Sequence, residues 1–334
     1  HFVYTEGVIG SNPISPTIFK HFLFLIYLIM QKVNPTLENE LKEYLNKLDI
    51  KVLQMDFVPL GEESYSWKIE TEAETLFLKY CTKGKIIRNL NKINSLLFSL
   101  QDYEFIVPPI LIKGKTEQPF RDGYIYASKY IVGKVQAMRT LEIPNRIIEE
   151  INEIMTQIHK TEVIIDSFPQ EDFNYNFRKE YTEILNDIDK GKDISELNSK
   201  DLNKVNDMII KFEEMSSGIL KNPPQMVLTH GDITGRNIIE VEDSSIKLLD
   251  WDETEIAPKE RDINFINGHP GFDMEVYKKI TGSEDIDQSL IAYYALVWSL
   301  ESIMENAKKL QNHREEYGTR EYLMEDITDS LNNY

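Results

Sequence analysis

The sequence predicts an α+β chain in two lobes, a strand-rich first part followed by a helix-rich second part. Three observations carry this. Apolar and polar residues alternate in several short runs between 51 and 131. From Pro144 onward the apolar residues fall at helical spacing. Short strand-like runs at 226–229, 238–239 and 246–249 interrupt those helices. A chain of 334 residues can bury a large core and support two lobes.

The elements follow in order. Residues 37–48 read as an amphipathic helix and 51–58 as a strand. Pro59 to Ser64 reads as a turn. The alternating runs 65–70 and 75–80, joined by the polar Thr71-Glu-Ala-Glu74, start an antiparallel sheet. Ile86, Leu90, Ile93, Leu97 and Leu100 share one face of a helix that Val107-Pro108-Pro109 stops. Residues 110–112 and 124–131 read as two further strands, and Gly133 closes the second. Helices are expected at 147–159, 174–188 and 200–220, and again at 273–280, 286–310 and 320–331. Residues 190–195 read as an exposed loop.

The bulk numbers exclude some partners. The chain is 41% apolar and 28% charged, with a formal net charge of −19. That charge disfavours nucleic acid and anionic membrane surfaces and would suit a cationic ligand. Cys81 is the one cysteine, so no internal disulfide or cysteine zinc cluster can form. A buried thiol in a reducing, cytoplasmic setting is the expectation. The first 29 residues look foreign to the rest. The apolar stretch 19–30 is too short for a comfortable membrane span and lacks a small-residue cleavage site. Gly10-Ser-Asn-Pro13 matches what the T-loop region of a transfer-RNA gene can spell when translated. The expectation is a native start at Met30 with 1–29 as read-through; a short membrane-associated leader is the alternative.

The chemistry concentrates between Met226 and Asp252. In Leu228-Thr-His-Gly-Asp-Ile-Thr-Gly-Arg-Asn237, Asp232 is followed five positions on by Asn237. Asp250 then ends the apolar run of Leu248-Leu-Asp-Trp-Asp252. Phosphoryl transfer needs such a set: one carboxylate to orient the attacking hydroxyl, and an Asn and an Asp to hold Mg²⁺ on the nucleotide phosphates. Hard oxygen donors suit Mg²⁺ better than a softer metal. Taken singly, Asp232 and Asn237 could be turn residues bonded to their own backbone. His230 could be a base or, the reading preferred, a brace for the loop.

His230-Gly-Asp-Ile-Thr-Gly-Arg-Asn237 with Leu249-Asp-Trp-Asp252 resembles the signature of the aminoglycoside phosphotransferase and choline-kinase-like family, small-molecule relatives of the eukaryotic-type protein kinases. The resemblance covers roughly 50–310 and implies a two-lobed protein-kinase-like fold. Residues 30–131 would form a small antiparallel-sheet N-lobe that binds nucleotide. Residues 132–334 would form a larger, mainly helical lobe for catalysis and substrate. By motif, Asp232 would be the catalytic aspartate and Asn237 and Asp250 the Mg²⁺ ligands. Ile154-Met-Thr-Gln-Ile-His159 is similar to a family helix ending in Leu-His, and Tyr130-Ile-Val-Gly133 to the segment after the interlobe hinge. Asp262 in Pro258-Lys-Glu-Arg-Asp262 would brace the catalytic loop together with His230.

On the nucleotide side, Leu60 to Trp67 sits where a phosphate-covering loop belongs, with Ser64 and Ser66 as hydroxyl contacts. An ordinary hairpin turn is the alternative. Lys79, opposite Leu76 and Leu78 on its strand, would grip the phosphates. The adenine would meet backbone groups around Ser128, Lys129 and Ile131. One departure stands out. The family holds that lysine with a glutamate on the next helix, yet 85–100 contains no acidic residue, and Asn91, Asn94 or Ser95 stands there instead.

The acceptor side carries Asp252, Glu253, Glu255, Asp273, Glu275 and Glu301. These would favour a polycationic aminoglycoside, or form only a solvated acidic face. Ala257 to Ile266 and Tyr293 to Glu301 are similar to the spectinomycin-phosphotransferase branch, with Trp298 lining the acceptor pocket or lying in plain core. The resemblance thus implies transfer from ATP, or GTP, to a hydroxyl of a small cationic molecule, first an aminoglycoside or aminocyclitol antibiotic. A metabolic kinase for choline, homoserine or a sugar is the alternative. A kinase-like binding protein without turnover is the reading from another class.

Overall fold

The computed structural model describes residues 35–58, 64–82, 84–137, 140–162, 168–189, 197–282, 286–311 and 320–332. The expectations for 1–29, for most of the 59–64 turn and for the 190–195 loop lie outside the described residues. The described chain divides into two compact units, one from 31–170 with 227–285 and one from 171–226 with 286–334.

The first unit is built on a five-stranded sheet in the order β1-β2-β3-β5-β4. The strands are β1 (Val52–Val58), β2 (Ser64–Thr71), β3 (Thr75–Cys81), β4 (Gln118–Phe120) and β5 (Gly123–Lys129), and neighbours are antiparallel throughout. Alternation gives the sheet two different faces. Trp67, Ile69, Leu78, Ile125 and Ala127 are fully buried in a core shared with Leu37, Leu41 and Leu45 of the Pro35–Lys47 helix. Trp67 Nε1 donates to Glu38 Oε1 at 3.1 Å, so the buried indole keeps its hydrogen bond. On the opposite face the register Ser66↔Lys79 and Lys79↔Tyr126 lines three polar side chains across β2, β3 and β5.

The Gly84–Ser99 helix buries Ile86, Leu90, Ile93 and Leu97, the stripe its periodicity predicts. The strand expected at 110–112 does not form. That segment makes only isolated bridges, Pro109↔Ser128 and Ile112↔Lys115. Proline has no N–H for a ladder, and Lys113 and Gly114 turn the chain with positive φ. The edge strand is β4 instead.

A small sheet in the order β6-β8-β9 joins β6 (Lys134–Val135), β8 (Ile238–Glu240) and β9 (Ile246–Leu248), and β10 (Glu255–Pro258) pairs with β7 (Met226–Thr229). The Asn145–His159 helix buries Ile147, Ile148, Ile151, Met155, Ile158 and His159. Short helices Glu260–Ile266 and Met274–Thr281 complete the unit.

The second unit is helical: Phe177–Asp189, Ser199–Lys221, Gln288–Gln311 and Arg320–Asn332. Its core includes Ile184, Met208, Ile209, Phe212, Tyr293, Leu300, Met304 and Ile327. Asn198 opens Ser199–Lys221 with a capping box, accepting from the N–H of Lys200 and Asp201 while Asp201 accepts from the N–H of Asn198. Among the described residues no helix is long and apolar enough to cross a membrane.

Candidate active site

Strand β7 ends at Thr229 and releases His230-Gly231-Asp232 into a loop. A single 3₁₀ turn, Gly235–Asn237, feeds the β8–β9 hairpin, which returns the chain to Asp250. Gly231 has φ +87°, and a Cβ there would lie 2.4 Å from Arg261 Nη1 and 2.6 Å from the Glu253 carbonyl. Conformation and space both demand glycine at this turn.

Asp262 fixes the loop. Its carboxylate is wholly buried and accepts from the His230 N–H at 2.9 Å and the Gly231 N–H at 2.8 Å. His159 Nε2 donates to the same carboxylate at 3.0 Å, and the Tyr277 hydroxyl lies 2.5 Å from His159 Nδ1. The tautomer follows from the partners: Tyr277 donates to Nδ1, so the ring proton sits on Nε2, facing Asp262. Burial by itself would raise the Asp262 carboxyl. The His159 hydrogen bond, the nearby imidazoles and the Gly231 N–H outweigh it and hold the group below the usual carboxylate range.

His230 is spent on structure. Its Nδ1 accepts from the Asp232 N–H at 3.2 Å, and its Nε2 donates to the Leu249 carbonyl at 3.0 Å. The ring packs edge-on against Trp251, centroids 4.6 Å apart, and burial lowers its pKa. Both nitrogens of the neutral ring are occupied.

Asp232 Oδ2 accepts from Asn237 Nδ2 at 2.8 Å, and the same amide group donates to the Asp232 carbonyl at 2.9 Å. Asp232 Oδ1 is buried and has no hydrogen-bond partner. Burial, and after it the charge of Asp250, raises the Asp232 carboxyl, against the opposing pull of His230 and Asn237. A buried carboxylate oxygen left without a donor is costly.

Asp250 sits in the left-handed region at φ 64°, ψ 67°, a conformation costing a non-glycine residue about 1–3 kcal/mol. It faces the cross-strand row of the sheet. Lys79 Nζ lies 2.6 Å from Asp250 Oδ1 and 3.0 Å from Asp252 Oδ2. The Tyr126 hydroxyl donates to Asp252 Oδ1 at 3.3 Å. The Asp250 side chain is 42% exposed and that of Asp252 12%. Burial would lower the Lys79 ammonium, but the charges of Asp250 and Asp252 outweigh it and hold its pKa well above the usual lysine value. Burial pushes the Asp252 carboxyl up to about 6, with Lys79 pulling the other way and Asp250 adding to the rise.

The other expected residues scatter. Ser64 is buried at the start of β2, and Ser66 presents a buried Oγ without a hydrogen-bond partner in the Lys79 row. Ser128 lines the same cleft as Lys79, Lys129 is the exposed last residue of β5, and Ile131 lies two residues further on. Asp252, expected beside the acceptor, is committed to Lys79. Glu253 and Glu255 lie on Arg261, at 3.8 and 3.1 Å. Asp273 caps the Met274–Thr281 helix, accepting from the N–H of Glu275 and Val276. Glu275 pairs with Lys278 at 3.2 Å. Trp298 and Glu301 are exposed on the Gln288–Gln311 helix of the second unit, so Trp298 is not core. Among the described residues no group of three or more His, Cys, Asp or Glu is arranged to hold a metal ion. Sequence reasoning missed Tyr277, Arg261 and Tyr126; only the alternation of β5 could have placed Tyr126 beside Lys79.

An aspartate, an asparagine and a second aspartate thus stand beside a lysine on an antiparallel sheet, the set that phosphoryl transfer needs. Residues 117–267 match the family model described as choline/ethanolamine kinase. The fold is α+β and protein-kinase-like, and this stretch of the chain is what is similar to that kinase family.

Spectinomycin phosphotransferase APH(9)-Ia, in complex with ADP and spectinomycin, is 20% identical, with a TM-score of 0.68 over 91% of this chain and 98% of that one. The GDP and kanamycin complex of APH(2")-IIIa is 12% identical, with a TM-score of 0.63 over 89% and 99%. Choline kinase LicA from Streptococcus pneumoniae is 15% identical, with a TM-score of 0.59 over 89% and 98%. No curated protein sequence matches the chain.

Proposed function

We propose that this kinase transfers the γ-phosphoryl group of ATP, or GTP, to a hydroxyl of a small cationic acceptor, and that the acceptor is an aminoglycoside or aminocyclitol. One observation carries the reaction: the unpartnered Asp232 Oδ1 beside Asn237 and Asp250. An acceptor hydroxyl donating to that oxygen is oriented toward the γ-phosphorus. Its oxygen bonds to phosphorus while the bond from phosphorus to the β–γ bridging oxygen breaks, and the electron pair leaves on the nucleoside diphosphate. The hydroxyl proton passes to Asp232 and then to solvent. Lys79 neutralises phosphate charge, and positioning supplies most of the acceleration.

The donor set fits Mg²⁺. Asn237 Oδ1 and the half-open Asp250 carboxylate are hard oxygens that would hold it, with the phosphates completing the shell. When bound, the ion supplies charge neutralisation on the phosphates. Residues 30–131 serve as the nucleotide lobe and 132–334 as the catalytic one. A single buried cysteine and the use of ATP suit a cytoplasmic enzyme.

The likeness to spectinomycin and kanamycin phosphotransferases and the net charge of −19 support a cationic antibiotic as acceptor. The match to the choline/ethanolamine kinase model favours a second reading, a small amino alcohol. The purified enzyme with Mg²⁺-ATP should release ADP in the presence of spectinomycin or an aminoglycoside. Turnover with choline alone would replace the first reading with the second. ADP release with neither, nor with homoserine or sugars, would refute both.

A further inference from the structure

We infer that Asp252 is the positioning residue that anchors Lys79, an assignment that rests on the kinase reading of this site. The Gly84–Ser99 helix packs beside the cleft yet carries no acidic residue. Its nearest polar contribution is Asn94, buried in the cleft lining with an Nδ2 that has no hydrogen-bond partner. A buried ammonium needs a paired anion, because desolvation without one costs several kcal/mol. The anions on Lys79 come from the 250–252 segment alone among the described residues.

These two acids are not equivalent. Asp250 is 42% exposed, strained into the left-handed region, and assigned to the metal. Once its oxygens turn to that task, its hold on Lys79 at 2.6 Å weakens. Asp252 is 12% exposed, with one oxygen on Lys79 at 3.0 Å and the other on the Tyr126 hydroxyl at 3.3 Å. Tyr126 is Lys79's register partner on β5, so the sheet itself holds the tyrosine that holds the aspartate. Asp252 therefore keeps Lys79 aimed into the nucleotide cleft when Asp250 is engaged elsewhere. An acid two residues along the same chain performs what the adjacent helix leaves undone.

A double-mutant cycle tests this. ADP affinity is measured by calorimetry with and without Mg²⁺ for the full-length enzyme, Asp252→Asn, Lys79→Met and the double variant, with thermal unfolding as the fold control. Asp252→Asn should weaken ADP binding roughly tenfold, the size of a charge-assisted contact. In the Lys79→Met background the same change should matter less than twofold. Tyr126→Phe should give a smaller loss that also vanishes in that background, and it serves if Asp252→Asn folds poorly. Equal losses in both backgrounds, or a loss seen only without Mg²⁺, would overturn the assignment. A wild-type enzyme that binds no ADP would sink the kinase reading with it; binding with additive losses sinks the anchor alone.

Discussion

Asp232→Asn is expected to lower kcat by about 10²–10⁴-fold, the range for a positioned acid–base group, while ADP affinity stays within about twofold. The two halves of that expectation come from one geometry. Asn237 Nδ2 donates to Asp232 Oδ2 at 2.8 Å, and Oδ1 has no hydrogen-bond partner. In the variant the amide oxygen keeps the Asn237 contact and the amide nitrogen replaces Oδ1. A donor then faces the acceptor hydroxyl, which loses both its orienting contact and its proton acceptor. Lys79, Asp250 and Asp252 are untouched, so the nucleotide's polar contacts survive. Initial rates of ADP release and calorimetric ADP binding check the pair. A kcat within twofold of the parent would remove Asp232 from the chemistry; a large loss of ADP affinity would reassign it to the nucleotide.

The sequence made some of this legible because local rules decided it. Gly231 is needed wherever a turn has φ +87° with a carbonyl and a guanidinium against it, and a motif that keeps a glycine between His230 and Asp232 reports that need. The apolar stripe of Gly84–Ser99 and the alternation of β2 and β3 are periodic signals that survive into the fold. Other features rest on partners far apart in the chain. Tyr277 meets His159 across 118 residues and Lys79 meets Asp252 across 173, and no spacing rule reaches that far. The acceptor-side acids show the same limit of local rules. An acidic residue near a motif can as readily cap a helix, as Asp273 does, or pair with Arg261, as Glu255 does. The strand expected at 110–112 failed on proline chemistry that the sequence did display.

Asp262→Ala is expected to cost about 3–5 kcal/mol of unfolding free energy, the range for stripping one partner from a buried ionic network, and to reduce turnover with it. Three donors converge on this carboxylate: the N–H groups of His230 and Gly231 and His159 Nε2. Alanine leaves all three buried and unsatisfied, and frees the loop that carries Asp232. Asp262→Asn should recover only part of the loss, because its amide nitrogen is a donor facing donors. The same group sets an acid limit. Its folded pKa lies below the unfolded value, so the stability it contributes is fully present above the unfolded pKa of about 4 and is lost as pH falls through the folded one. Urea unfolding of parent and variant between pH 7 and pH 3 reads both effects. The difference between them should be largest near neutrality and shrink on acidification. A variant as stable as the parent at pH 7, or a gap that widens toward low pH, would show that Asp262 is not the ionised keystone of the loop.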